Sequence, residues 1–316
     1  MKKIMIILFS VLIVSCSENT QNKKNENDRI SEKIEKQQNN NKTEDLKLLT
    51  YSNLVDKKTQ EELKNELLKA GIQHNDIENF LESVNYFNSE IDNESLVKEG
   101  FITSDSLNPD YNIEVIQNKW EEKNSLFPGY NCRITSFGLM KDYISLGNPE
   151  INDTSQLFID EEALNSTPLK KFNENERKIF NSFFSIIKTE KTKDIDKHII
   201  KVKEDWRKKN ITFKKNDKLS LISVFFHSLI TPEENFLFIG HAGVLINSDN
   251  GKLIFIEKLS FQEPYQVLKF DNRTQLNDYL MNKYDVEWGQ ETASPFIMEN
   301  DELMDGYRLN PNKGKK

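Results

Sequence analysis

Residues 220–270 read SLISVFFHSLITPEENFLFIGHAGVLINSDNGKLIFIEKLSFQEPYQVLKF, and this stretch decides the fold. The runs 220–230, 235–247, 252–261 and 265–270 are short, apolar and rich in β-branched and aromatic residues, which is strand texture. Thr231-Pro232 and Ser248-Asp249-Asn250-Gly251 punctuate them with turn chemistry. Upstream, the apolar period is helical. Leu63, Leu67 and Leu68 recur in residues 57–71, where Gly71 is a good stop. Ile77, Phe80, Leu81 and Val84 predict a second helix over 76–87. A segment over 113–123 carries Trp120 and leads into the loop 125–130. In residues 131–146, Ile134, Phe137, Met140 and Ile144 keep to one helical face. Further helices are expected at 173–188 and 194–208 and, after the strands, at 272–283. N-terminal helices followed by an antiparallel β-sheet make an α+β fold.

The chain of 316 residues has a net charge of −8, which counts against general nucleic-acid binding, since that relies on a basic surface. Its 20 Phe, 9 Tyr and 3 Trp supply the aromatic bulk of a sizeable core and exclude disorder of the whole chain. With only 2 Cys and 4 His, zinc frameworks and disulfide scaffolds are almost excluded by counting. No Gly-rich phosphate loop and no metal-ligand spacing is present, so no cofactor and no metal is expected.

Residues 1–15, MKKIMIILFSVLIVS, have a positive start, a short apolar run and a small residue at the end, as in a secretory signal. The run is too short to span a bilayer, which takes about 20 apolar residues. Ile13-Val14-Ser15-Cys16 resembles the lipobox of bacterial lipoproteins, in which the cysteine becomes the first mature residue and carries acyl chains. An ordinary signal whose boundary contains Cys is the other reading. Residues 17–45 hold only Ile30 and Ile34 as apolar residues, so 16–45 is expected to be a lipidated tether and 46–316 one globular domain. The expected location is extracytoplasmic, on a cell or outer membrane through the lipid anchor. The sequence leaves the oligomeric state open.

If Cys16 is lipidated, Cys132 is the one thiol left, and it stands at the predicted start of a helix. Backbone N–H groups and the helix dipole there favour a thiolate, and the Cys132 N–H can assist an oxyanion. A small buried core residue is the alternative. Nucleophilic chemistry also calls for an imidazole. His74 reads as a solvated turn residue, His198 as structural, and His227 as a core histidine or a supporting group. His241 differs, because Gly240 and Gly243 flank it and let other groups approach. A three-residue turn over 249–251 pairs Ser248 with Lys252, which makes Glu257 the same-face diagonal neighbour of His241. A register shifted by one residue puts Glu257 on the opposite face, and a solvent-facing Glu257 paired with Lys258 or another lysine is the alternative reading.

A Cys opening a helix, then Gly240-His241-Ala242-Gly243-Val244-Leu245, then a polar residue on the next strand resembles the papain-like cysteine hydrolases, especially the NlpC-type cell-wall peptidase branch. The interval of 109 from Cys132 to His241 is long for that branch, and no upstream Gln stands close to Cys132. Tyr130, Asn131 and Gln117 are the oxyanion candidates. Over most of 46–316 the chain also resembles a bacterial lipoprotein family known as domain of unknown function 4300. The segments GYNCRITSFGLMKDYI, FIGHAGVLI, FIEKLSFQEPYQVLKFDNRTQLNDYLMNKYDVEWGQ and PFIMENDELMDGYR carry that resemblance, which implies a shared fold and export but no activity. The expected activity is that of a cysteine amidase or peptidase on peptide or cell-wall amide bonds, with Cys132, His241 and Glu257 as catalytic residues. A non-catalytic surface lipoprotein binding a wall fragment, a peptide or a host ligand is the alternative.

Overall fold

The computed structural model describes residues 45–313 apart from 92–93, 125, 149–152, 232–233, 288 and 290. The expected leader (1–15), Cys16 and all but the last residue of the expected tether (16–45) lie outside the described residues. Eight α-helices and eleven β-strands are present among the described residues. The strands are β1 (Leu49–Ser52), β2 (Ile102–Ser104), β3 (Ile144–Leu146), β4 (Ile187–Lys188), β5 (Ile211–Phe213), β6 (Leu219–Leu229), β7 (Asn235–Asn247), β8 (Leu253–Lys258), β9 (Tyr265–Phe270), β10 (Phe296–Glu299) and β11 (Glu302–Leu303). Nine of them form one antiparallel sheet in the order β11-β10-β6-β7-β8-β9-β1-β2, with β4 also paired to β7. β3 and β5 pair separately. The fold is therefore α+β.

The four runs of residues 220–270 form β6 to β9, each beside the next. The β7–β8 turn closes with Ser248 N donating to Lys252 O at 3.0 Å and Gly251 N to Ser248 O at 3.0 Å. Gly251 has φ of 81°, the left-handed conformation that a three-residue hairpin loop requires at this point. The register that follows pairs Gly243 with Glu257.

β7 is shared unequally. β6 runs along one side of its whole length, while the other side is paired to β4 at Phe236 and Leu237 and to β8 from Gly243 onward. Between these partners, the helix Cys132–Met140 packs against β7 and β8. The β6–β7 register slips here, with His241 opposite Val224 but Ile239 opposite Phe225, so Gly240 is the extra residue of a bulge. A Cβ on Gly240 would stand 2.2 Å from the Phe226 ring.

Two helical expectations stop short. The helix begun at Cys132 ends at Met140, and Ile144 opens β3 opposite Phe213. The expected helix 173–188 ends at Phe184, after which Ile187 pairs with Leu237 of β7. In both places an apolar residue fits either period, and an available strand partner decides. Phe137, Phe180, Phe183, Phe184 and Trp206 are buried and in successive ring contact. Trp206 meets Phe225 of β6, so this aromatic seam joins the Cys132 helix and its neighbours to the sheet.

Candidate functional site

Asn131 is the N-cap of the Cys132 helix, its Oδ1 accepting from Ile134 N at 2.9 Å. That cap sets Cys132 as the first helical residue, where no carbonyl four residues back accepts its N–H. The Cys132 sulfur lies 4.0 Å from Gly240 O, on the bulge beside His241. Cys132 is 4% exposed, His241 1% and Glu257 0%. The structure thus brings together the three residues from three separate elements.

Within the group, His241 Nε2 meets Glu257 Oε2 at 2.6 Å. The other Glu257 oxygen, Oε1, accepts from Tyr279 Oη at 2.5 Å and from Gln266 Nε2 at 3.0 Å. Gln266 Oε1 in turn accepts from the Tyr111 hydroxyl at 2.7 Å, and Asn53 Nδ2 donates to that hydroxyl at 2.8 Å. A carboxylate with this many buried donors is satisfied as an anion. Burial pushes the Glu257 carboxyl up, but His241, Lys283 and Tyr279 outweigh it and hold it below its ordinary value. Burial raises Tyr279 well above its ordinary value, so its phenol stays a proton donor to Glu257.

With Nε2 given to Glu257, Nδ1 is the ring nitrogen left available to Cys132. Burial raises the Cys132 thiol, but the His241 charge and hydrogen bond, the Arg133 charge and the Ala242 N–H bring it below its ordinary value. Burial lowers His241, but the Cys132 thiolate and then Glu257 push it up to about 9. The two shifts have one cause, since each ion is the other's counter-charge, so the pair titrates as a unit. Each charge thus favours the other's charged form. Tyr284 lies over the imidazole, with ring centroids 4.9 Å apart and planes tilted by 30°.

The upstream oxyanion candidates are engaged elsewhere. Asn131 Nδ2 donates to Asp160 Oδ1 at 2.8 Å while its Oδ1 caps the helix. The Tyr130 hydroxyl bonds Thr167 Oγ1, and its ring is 4.4 Å from Lys171 Nζ. Gln117 lies on the helix Ile113–Lys123, which packs on the helix His74–Ile91. Asn131 takes up the Ile134 N–H with its side chain and the Thr135 N–H with its carbonyl, so the Cys132 and Arg133 N–H groups are the first-turn donors left without an intrahelical acceptor.

The remaining histidines have local partners. His74 is exposed, 3.6 Å from Glu78. His198 bonds Thr189 Oγ1 at 2.8 Å and Thr192 O at 2.9 Å. His227 bonds Asn235 Oδ1 at 2.7 Å and accepts from Ala293 N at 3.0 Å. Lys258 does not pair with Glu257. It is fully buried, and its Nζ donates to the carbonyls of Ser260, Phe261 and Glu263. Among the described residues no group of three or more His, Cys, Asp or Glu side chains is arranged to hold a metal ion. No helix among them is long and apolar enough to cross a membrane.

A family model described as "Domain of unknown function (DUF4300)" matches residues 50–304, which include all three clustered residues. No curated protein and no solved structure matches the chain.

Proposed function

We propose, from the premise that this chain belongs to the DUF4300 family, that it is an exported, lipid-anchored cysteine hydrolase of papain-like logic that cleaves peptide or cell-wall amide bonds. The observation that supports this reading is the buried Cys132–His241–Glu257 relay, with the 2.6 Å bond from His241 to Glu257. Export and anchoring rest on residues 1–16, and the wall substrate on the place such an anchor would put the domain.

In this mechanism the Cys132 thiolate attacks the amide carbonyl carbon and a C–S bond forms. The Cys132 N–H stabilises the negative charge that develops on the carbonyl oxygen. His241 delivers its proton to the nitrogen, the C–N bond breaks and the amine leaves a thioester on Cys132. Water then gives a proton to His241 as it attacks the thioester, and the carboxylic acid product leaves as the C–S bond breaks. Glu257 stays ionised throughout, fixing the ring and stabilising the imidazolium.

The chain is expected to release new amino groups from wall-derived peptides, and Cys132→Ser is expected to abolish that release while keeping the melting temperature. Equal release by the Cys132→Ser protein would contradict the assignment. Cys16→Ser is expected to move the protein from the membrane pellet to the soluble fraction of its host cell, and retention in the pellet would defeat the anchor. A second reading, a non-catalytic lipoprotein that binds a wall fragment, peptide or host ligand, is favoured by one observation. The nucleophile and its base are nearly inaccessible as they stand, at 4% and 1% exposure. Binding of the same peptides with no amine released, in a protein whose Cys132 resists alkylation, would select it.

A further inference from the structure

The long interval between Cys132 and His241 returns a side chain to the nucleophile's own helix. Asp160, in the first turn of the helix Phe158–Ser166, is fully buried and touches both neighbours of Cys132. Its Oδ1 accepts from Asn131 Nδ2 at 2.8 Å and from Arg133 Nε at 2.9 Å, and its Oδ2 accepts from Arg133 Nη2 at 2.5 Å. The third guanidinium nitrogen, Nη1, donates to Ile239 O at 3.3 Å, two residues before His241. One carboxylate thus fixes the N-cap and the guanidinium, and the guanidinium reaches the strand that carries the imidazole.

Stability does not account for this arrangement. A buried ion pair is often no better than apolar side chains of equal volume. Arg133 moreover occupies the first turn of a helix, where the macrodipole disfavours a cation. A cation placed there against local preference, and then held by a fork-to-fork bond, points to a need for positive charge at that place. The adjacent residue is the thiol.

We propose that Asp160 and Arg133 are positioning residues for Cys132: Asp160 holds the N-cap and the guanidinium, and Arg133 ties the Cys132 helix to the His241 strand and supplies a second fixed cation beside the sulfur. The proposal rests on the reading of Cys132 as the nucleophile. Arg133 follows Cys132 directly in the chain, and its positive charge favours the thiolate as the thiolate favours the guanidinium.

The test uses the chain with Cys16→Ser, in which Cys132 is the one remaining cysteine. It reads the rate of iodoacetamide alkylation between about pH 4 and about pH 10, together with the melting temperature. The paired variant Arg133→Gln/Asp160→Asn removes both charges and keeps the shape. Its alkylation midpoint is expected to rise by about one pH unit or more, which makes alkylation near pH 6 about tenfold slower. Arg133→Lys keeps the charge without the fork, so its midpoint is expected to hold while its high-pH plateau falls. A paired variant that melts cooperatively with the parent's midpoint overturns the proposal. If the paired variant does not fold, Arg133→Lys decides, and an unchanged plateau overturns it. His241→Ala in the same assay separates the two ideas. An unchanged midpoint there defeats the thiolate–imidazolium pair itself, whereas a shift there with none in the paired variant defeats the clamp alone.

Discussion

His241→Ala is expected to slow alkylation of Cys132 at neutral pH by about tenfold and to lower amide turnover by about 10³-fold or more. The two numbers differ because the proposed mechanism gives the imidazole two tasks. As an imidazolium it is the main counter-charge that overcomes burial and keeps the thiol below its ordinary value. Without it burial loses its main opposing charge, so the thiol rises and the thiolate fraction at neutral pH falls. A more basic thiolate is more nucleophilic, which recovers part of that loss in a simple alkylation. Turnover recovers less, because the departing amine also loses its proton donor. The pH profile follows from the same shifts. Turnover should rise from the acid side as the thiolate forms, hold across the ion-pair window, and fall as His241 loses its proton near pH 9. Since the folded His241 is raised from 6.5 to about 9, its charged form adds stability that is complete below the unfolded value and is lost as pH rises through about 9. A His241→Ala protein with the parent's alkylation rate, or a parent whose turnover keeps rising beyond that pH, would contradict the ion pair.

Legibility of the site from sequence tracks how local the determining interaction is. The spacing of His241 and Glu257 follows from a three-residue turn with Gly251 in the left-handed conformation, and a turn is encoded by neighbouring residues. Asn131 belongs to the same class. It carries a signal as an N-cap, a residue type whose oxygen serves the following N–H groups, and that reading competes with an oxyanion role. Gln266 had a weaker signal. It is a lone amide in the apolar run 265–270, and the β8–β9 register sets it opposite Glu257. Asp160 had none. It lies in FIDEEALNS among other acids, with nothing local to mark which carboxylate is withdrawn from water, and its partners are 27 and 29 residues away. Tyr111 and Asn53 complete the network from even greater distances, through contacts that only the packed sheet creates. The ends of two helices are set by a related, non-local cause. Ile144 and Ile187 satisfy a helical pattern, and the choice of strand is made by Phe213 and Leu237 across space.

Glu257→Gln is expected to lower turnover on the order of 10³-fold to 10⁴-fold while leaving Cys132 in place, an effect of the size seen when the acid of a catalytic triad becomes an amide. The wild-type carboxylate accepts three bonds, from His241, Tyr279 and Gln266. A glutamine has one oxygen for them and turns an N–H₂ group toward groups that donate in the wild type. If its nitrogen faces His241, the ring must present an unprotonated Nε2, so the proton sits on the nitrogen facing the sulfur and the charged imidazolium is disfavoured. If its nitrogen faces Tyr279 and Gln266, two buried donors lose an acceptor, at about 1–3 kcal/mol for each group left unsatisfied. Either way the charge that offsets the imidazolium is removed from a fully buried site. His241 should then titrate below its present value of about 9, and the alkaline limb of the turnover profile should move to lower pH by about one unit or more. The melting temperature should fall as well, which makes the pH profile the decisive reading, since a merely looser core would reduce the amplitude of that profile without shifting its limb. Glu257→Asp is the companion variant: it keeps the charge about one methylene short of the ring, so the alkaline limb should remain nearer the parent's even if turnover drops. A Glu257→Gln protein whose alkaline limb coincides with the parent's would remove Glu257 from the relay and leave it as a buried structural acid.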